Sequence, residues 1–523
     1  MAVLSNIQSL PLSTIAFYAL TIYLTSKIAT AVQRIFFHPL SRVPGPTICA
    51  ISRLYEFWWD SLYEHGRLWS RMPKLHEKYG PIVRIGPNEV HIHDLEYFNE
   101  LLSFRPLNKW AMTAHQFGIS EALFGTEDYK HYTKKRAAFG NSFSRSSALK
   151  CQDLLNEHLD KACDIIKQRN VEGQTVDLAY IYRGAPADMF TELIFGKQFN
   201  FIDDEVSTRG LYDRKHEVLF GMFHLGRHIF FLIPLLLDLL WQQLKQAAGG
   251  PKPKWSMLGY LSWAKGTLKE LQEELKDPSK TAESRKIKPV MATFMEANLS
   301  DSDKTIGALS QQGVAVWSGG WETVGTTVTL GTYEVLKNHK ISDRLKSELK
   351  TAWPDIRQPP SMEALDASPY LTALIKESLR FTPPPGRLSR YNPTEVEHYK
   401  NYSFPPGTVI STSLSMVSRD PSIWGSDAEA FRPERWIGKE NEDGKLDQWL
   451  VSFSKGTRVC PGLELAWVEL RLLFAHIFRK FDLSIDEKAN IGDDDILTYR
   501  DGFTGISKNW CQRLPVWAKP VSS

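Results

Sequence analysis

Cys460 has the most specific chemical setting in this sequence. It closes the stretch Phe453-Ser-Lys-Gly456-Thr-Arg458-Val-Cys460-Pro-Gly462, after which Leu463, Ala466, Trp467, Leu470, Phe474 and Ile477 recur at three- and four-residue steps. That spacing predicts a helix with one apolar face beginning just past the cysteine. Unpaired N–H groups and the positive dipole end at a helix start favour a thiolate over a thiol. The bracketing glycines, Gly456 and Gly462, let backbone come close to a flat cofactor. Together these features predict metal ligation by sulfur. Cys49, Cys151, Cys163 and Cys511 lack such a setting and read as small buried hydrophobes.

Two other groups of residues carry potential chemistry. Gly319-Gly320-Trp321-Glu322-Thr323 lies in a stretch, 305–336, with no charge before Glu322. Adjacent glycines weaken a helix by about 1 kcal/mol each relative to alanine, so close approach of something else must compensate. A glycine-faced packing helix is one alternative. A membrane span is another, opposed by Ser310, Gln311, Gln312 and Ser318. Glu377 and Arg380 stand three apart, which on a helix is ordinarily a solvated pair contributing a few tenths of a kcal/mol.

The decapeptide around Cys460 resembles the haem-binding signature of the cytochrome P-450 monooxygenases, in which a cysteine thiolate holds the iron. Glu377-Ser-Leu-Arg380 resembles that family's Glu-x-x-Arg element. Phe431-Arg-Pro-Glu-Arg435-Trp436 resembles the segment whose arginine completes the ion cluster. The order of these motifs extends the likeness from about Pro44 to the C-terminus. The resemblance implies a mainly α fold, a large helical domain with small β-sheets around a buried haem b (iron protoporphyrin IX). It implies Cys460 as iron ligand, Phe453 and Gly462 as cofactor contacts, and a buried Glu377/Arg380/Arg435 cluster. Glu322 and Thr323 are then the acid–threonine pair that relays protons to dioxygen. Arg458 and Arg387 match the propionate arginines, and His131 and Lys135 occupy the places of a Trp-x-x-x-Arg pair, with Arg136 an alternative contact. A solvated basic helix face is the other reading of 131–136.

The elements that must position these residues belong to a chain of 523 residues, 42% hydrophobic, with 16 tryptophans and net charge +3. That is ample for a large core and opposes a nucleic-acid role. Five cysteines without paired spacing suggest no disulfide framework. Because the motifs must converge on one cofactor, residues 44–523 are expected to form a single catalytic domain. Residues 1–43 are an N-terminal membrane anchor and basic linker: 1–26 carry no side-chain charge, and Lys27, Arg34 and Arg42 follow. The positive-inside rule then puts the domain on the cytosolic side of the endoplasmic reticulum. A second apolar run, 229–237, is too short to span and lies at the membrane interface, a substrate entrance or the core.

No phosphate-cradling glycine loop follows a strand, so electrons must come from a partner, an NADPH-cytochrome P-450 reductase. Lys455 and the basic residues 130–136 are candidate docking groups. The runs Phe36-Phe-His-Pro39, Leu54-Tyr-Glu-Phe57 and Tyr79-Gly-Pro-Ile-Val83 resemble fungal microsomal members of the trichodiene-oxygenase-like group. That likeness implies oxidation of a lipophilic terpenoid, meroterpenoid or polyketide. Trp110, Met112, Phe117, Trp321, Pro384 and Pro385 fall in the family's substrate-contact segments. Desaturation, rearrangement or oxidative coupling on the same fold, and a non-catalytic haem-binding protein, are the alternatives.

Overall fold

Thr305 opens the longest helix described, Ile306–Lys337, by accepting a hydrogen bond from the Ala308 N–H at 3.2 Å, and the helix then runs 32 residues. The computed structural model describes residues 11–63, 65–115, 119–214, 257–277 and 287–521. Small residues let this helix sit against its neighbours. A Cβ on Gly320 would lie 2.2 Å from Phe190, and one on Gly325 2.5 Å from Cγ of Arg183, both on the helix Leu178–Phe195. A Cβ on Gly319 would meet nothing within 4 Å. The glycine pair therefore serves two ends: Gly320 admits a packing partner and Gly319 borders open space.

Helix Leu178–Phe195 is buried on nearly every side, as expected of a helix without a polar face. Helix Leu463–Lys480 departs from the single apolar stripe of the sequence pattern. Leu463, Ala466 and Trp467 are only half-buried, whereas 472–479 is buried all round. Its second half is enclosed by the helices Gln152–Val171, Ile306–Lys337 and His339–Ala352.

Helix Pro369–Phe381 carries Glu377 and Arg380, both fully buried. Arg380 makes a bidentate pair with Glu377 (2.8 and 2.9 Å) and donates to the Ser418, Ala428 and Ala430 carbonyls. Arg435 Nε reaches Glu377 at 3.1 Å, and the Trp436 indole and Arg432 N–H donate to the same carboxylate at 2.8 Å. Every acceptor site of Glu377 is used, which is the condition for a buried ion cluster to be tolerated.

Four small sheets are found among the described residues. The largest runs Ile82–Gly86, Glu89–Ile92, Val409–Ser413, Arg387–Tyr391, Asn108–Lys109 in spatial order. Its last pairing is antiparallel and sets Lys109 directly opposite Arg390. At the N-terminal end, Leu12–Val32 is helical and continues in wider turns through Phe37. The stretch Ser13–Phe37 is long and apolar enough to cross a membrane, and none of its most apolar window is buried. The helix thus runs well past Lys27, beyond the charge-free stretch. The run 229–237 and the loop 247–254 lie outside the described residues.

One buried acid in this framework has no partner. Both carboxyl oxygens of Glu469, on helix Leu463–Lys480, lack a hydrogen bond among the described residues, and burial pushes its pKa well above the usual range. The native state therefore keeps a proton that the unfolded chain releases above about pH 4.5, and stability falls as pH rises from there. Glu469→Gln is expected to raise the melting temperature, with the gain growing between about pH 5 and pH 8. A gain that shrinks with pH over that range would contradict the neutral assignment.

Candidate cofactor and active site

The cysteine loop is held from both sides. Gly456 has φ +70°, and a Cβ there would lie 1.9 Å from the Leu102 carbonyl oxygen, so only glycine fits. The Cys460 N–H donates to the Phe453 carbonyl at 2.9 Å, and Arg136 Nη1 donates to the Val459 carbonyl at 3.1 Å. Cys460 itself is half-buried, with Gly462 capping the helix that follows. Burial pushes its thiol pKa up, while the Gly462 N–H and the Arg136 charge pull it down. A coordinating cation would deprotonate it outright.

Beside this loop lies a group of cations without anions. Arg458 donates to the Thr126 and Glu127 carbonyls (3.0 and 2.7 Å) and lies 4.1 Å over the Tyr132 ring, yet its Nε has no partner among the described residues. Lys109 Nζ donates to the Phe124 carbonyl at 2.9 Å, and Arg390 donates to the Ser389 carbonyl at 3.0 Å. None of the three has an ion pair among the described residues. Burial holds Lys109 well below its usual pKa and Arg390 at about 9, each lowered further by neighbouring arginine charge, and burial alone lowers Arg458 to about 10. Like charges placed directly opposite across strands are destabilising, and a buried unpaired charge is more so. Such a cluster suits an anionic ligand. The two haem carboxylates fit it in charge and in their need for buried donors.

The expected propionate residues are distributed differently. Arg387 does not join the cluster: its guanidinium is neutralised by Glu89 (2.6 Å) and Glu56 (2.8 Å). Arg387 and Arg390 are three apart on one strand and so project to opposite faces. That parity was readable in the sequence, and Lys109 had no local signal. His131 and Lys135 both turn to Asp303, each at 3.0 Å, and Lys135 also donates to the Glu121 carbonyl. An acid 172 positions from His131 claims both, and their helix, Tyr129–Ala138, reaches the loop through Arg136 and Tyr132 instead.

Glu322 is buried and pairs with Arg183 Nε at 3.3 Å. Arg183 also donates to Thr326 (3.1 Å) and Gln512 (2.7 Å). Thr323, half-buried, donates to the Gly319 carbonyl at 2.7 Å. One helical step separates the two side chains by about 100°, so the acid faces Arg183 while the hydroxyl lies along the Gly319 edge. Trp321 is fully buried among Tyr212 and Trp317, ring centroids 4.6 and 5.2 Å away. It is a core residue in this arrangement. Trp110 lies against Arg53 at 4.2 Å and lines a cavity of about 170 Å³ with Glu127 and Tyr391. Met112 and Pro384 are half-buried, Pro385 is buried with its carbonyl bonded by Ser415, and Phe117 lies outside the described residues.

A cysteine on a glycine loop, a cluster of cations without ion pairs and a helix with a one-sided gap are the features of a haem-thiolate site. The cytochrome P-450 family model matches residues 52–504, and the chain belongs to that family. It is similar to the cytochrome P-450 monooxygenase pbrB of Penicillium brasilianum, 30% identical over 91% of this chain and 92% of that protein. The corresponding values for the monooxygenase astB of Aspergillus terreus are 30%, 88% and 90%. For the tryptophan 6-hydroxylase fscE of Fusarium equiseti they are 28%, 89% and 90%. The protein is therefore a haem-dependent monooxygenase.

The two arginines of one strand are expected to respond in opposite ways. Arg387→Ala leaves Glu56 and Glu89 to share Arg53, with one buried negative charge uncompensated, and should lower stability by about 3–5 kcal/mol. Lys109→Met removes a like-charge pair, so the haem-free protein should melt higher by the equivalent of about 1 kcal/mol while retaining less haem. Melting temperature together with the haem-to-protein ratio checks both. A Lys109→Met protein that melts lower and holds haem normally would contradict the cluster's role.

Proposed function

We propose that the protein is a membrane-anchored monooxygenase that inserts one oxygen atom into a lipophilic metabolite, in secondary metabolism of the fungal kind. The observation that carries this reading is the cysteine loop beside one buried and two half-buried cations that have no ion pair among the described residues. In this reading Cys460 ligates the iron of haem b. Arg458, Arg390 and Lys109 hold its carboxylates, and Phe453 and Gly462 shape the backbone beneath the ring. When bound, haem supplies the iron at which dioxygen is reduced, and thiolate ligation favours O–O cleavage.

Other roles fall to the chain's own groups. The Thr323 hydroxyl, anchored on the Gly319 carbonyl, keeps its lone pairs available to a proton-donating water. Arg183 fixes the Glu322 carboxylate, and with Thr326 it forms the polar side of the central helix from which protons are delivered. Gly319 keeps the reacting space free of a side chain. Trp110, Met112, Phe117, Pro384 and Pro385 are assigned to the substrate side. Trp321 acts on it only through packing.

Electrons come from an NADPH-dependent reductase docking near Lys455 and Arg136. Residues 1–43 anchor the chain in the endoplasmic reticulum membrane, and 44–523 form the cytosolic catalytic domain. The apolar stretch Ser13–Phe37 supports the anchor. The relative named as a tryptophan 6-hydroxylase supports hydroxylation as the reaction type.

Two measurements test this reading. The ferrous–CO complex should show the red-shifted Soret band of thiolate ligation, and Cys460→Ala should abolish it; a variant that kept both band and activity would refute the ligand assignment. Thr323→Ala should keep haem but divert reducing equivalents to peroxide, read as product formed per NADPH consumed. Unchanged coupling would remove Thr323 from the proton path.

A further inference from the structure

Trp321, on the helix Ile306–Lys337, opens a continuous run of oxidisable rings. Its ring centroid lies 5.2 Å from that of Trp317, Trp317 lies 4.2 Å from Tyr260, and Tyr260 stacks on Trp263 at 5.7 Å. Tyr260 and Trp263 belong to the helix Met257–Lys276, so the run crosses from one helix to another. Trp317, Trp321 and Tyr260 are 0% exposed, and Trp263 is half-buried. The Trp317 indole N–H donates to the Ala187 carbonyl at 3.3 Å. Phe201 stacks on Trp317 at 5.3 Å, so a phenyl ring packs in this core as readily as an indole. Packing therefore accounts for aromatic rings here but not for their being tryptophans.

The inner end of the run lies one helix-width from the reacting space. Gly319 and Thr323 border the gap, and Trp321, two steps along from Gly319, projects about 200° away on the far side. A helix with its side chains is about 10 Å across, a distance over which an electron tunnels through protein. Indole and phenol are the amino-acid rings most readily oxidised by one electron. A phenol must shed its proton when it is oxidised, and the Tyr260 hydroxyl has no hydrogen-bond partner among the described residues. Burial holds that phenol well above its usual pKa. Tyr260 therefore bridges two indoles without holding the charge itself. The same lack of a proton acceptor among the described residues makes Tyr212, packed 4.6 Å from Trp321, a dead end.

We propose that Trp321, Trp317 and Trp263 form a discharge path that carries oxidising equivalents from the haem site to the protein surface when no substrate consumes them. The inference rests on the haem-dependent oxidation assigned above. In each step one electron moves toward the haem site and one positive hole moves outward, from Trp321 to Trp317 and through Tyr260 to Trp263, with no bond made or broken. At Trp263 the indole radical cation is returned to indole by one electron from a soluble thiol. The thiol loses its proton to water, and two of the resulting thiyl radicals join as a disulfide. Because the inner indoles are shielded from water, the hole moves on rather than reacting where it stands, and it meets reductant at the half-buried end.

The test uses full-length holoenzyme without substrate, mixed with hydrogen peroxide and rapidly frozen. Electron paramagnetic resonance should show an indole radical, identified by the narrowing of its signal in protein grown with ring-deuterated tryptophan. Trp321→Phe should remove most of that signal and make the Soret band bleach several-fold faster in peroxide, while the ferrous–CO spectrum of the untreated protein stays intact. Trp263→Phe should instead prolong the radical and raise oxidation of Trp317 and Trp321, read by peptide mass analysis. Trp517→Phe, on the strand Pro515–Pro520 and 41% exposed, lies outside the run and should change none of these readings. A radical on tyrosine, an indole radical undiminished in Trp321→Phe, or bleaching no faster in that variant than in the parent would overturn the path. Should Trp321→Phe lose haem, Trp263→Phe decides alone: an unchanged radical lifetime with unchanged oxidation of the inner indoles would overturn the path. A parent protein without the thiolate-type CO spectrum would overturn the ligand assignment, and the path with it.

Discussion

Lys109, Arg390 and Arg458 form a positive cluster, Arg390 buried and the other two half-buried, that the rest of the site depends on, because no ion pair among the described residues neutralises it. Strand pairing sets two of these cations directly opposite each other, and the third is carried by the loop that presents Cys460. Backbone carbonyls satisfy some of their N–H groups but contribute no net negative charge. The apoprotein therefore holds unfavourable electrostatic energy that a dianionic ligand would relieve. Cofactor affinity and stability are coupled through this cluster. It also gives the cofactor a direction, since carboxylates at one edge fix which way a flat ring lies.

Such a cluster persists only where the surrounding fold is rigid enough to impose it. The Glu377–Arg380–Arg435 network provides that rigidity on one side, with Glu377 accepting from two arginines, an indole and a backbone N–H. On the other side, the sheet is tied by Arg387 bridging Glu56 and Glu89, a charge-compensated counterpart to the uncompensated Arg390 three residues along. One face of the strand thus stabilises the fold and the other faces the ligand. The central helix divides its labour similarly. Gly320 and Gly325 bring it against helix Leu178–Phe195, whereas Gly319 and Thr323 border the gap.

Much of this was legible in the sequence. The start of the helix after Cys460 follows from local spacing, whereas the cysteine loop's role, the central helix and the Glu377/Arg380 helix were expected from motifs that resemble the family's. What was not legible depends on pairings distant in sequence. His131 and Lys135 carry the right chemistry, but Asp303 captures both. Glu322 reads as a free acid until Arg183 is brought beside it by helix packing. Trp321 reads as a pocket residue until Tyr212 and Trp317 close around it. Arg390 could have been preferred to Arg387 on strand parity, but Lys109 becomes visible only once the sheet order is known.

The central claim is that the cation cluster binds the two carboxylates of haem. The most direct measurement compares the affinity of the apoprotein for haem and for its dimethyl ester, which has the same ring and iron but no negative charge at that edge. The ester should bind far more weakly, and the difference should shrink in a protein carrying both Lys109→Met and Arg390→Met. Equal affinities for haem and ester in the unmodified protein would contradict the account.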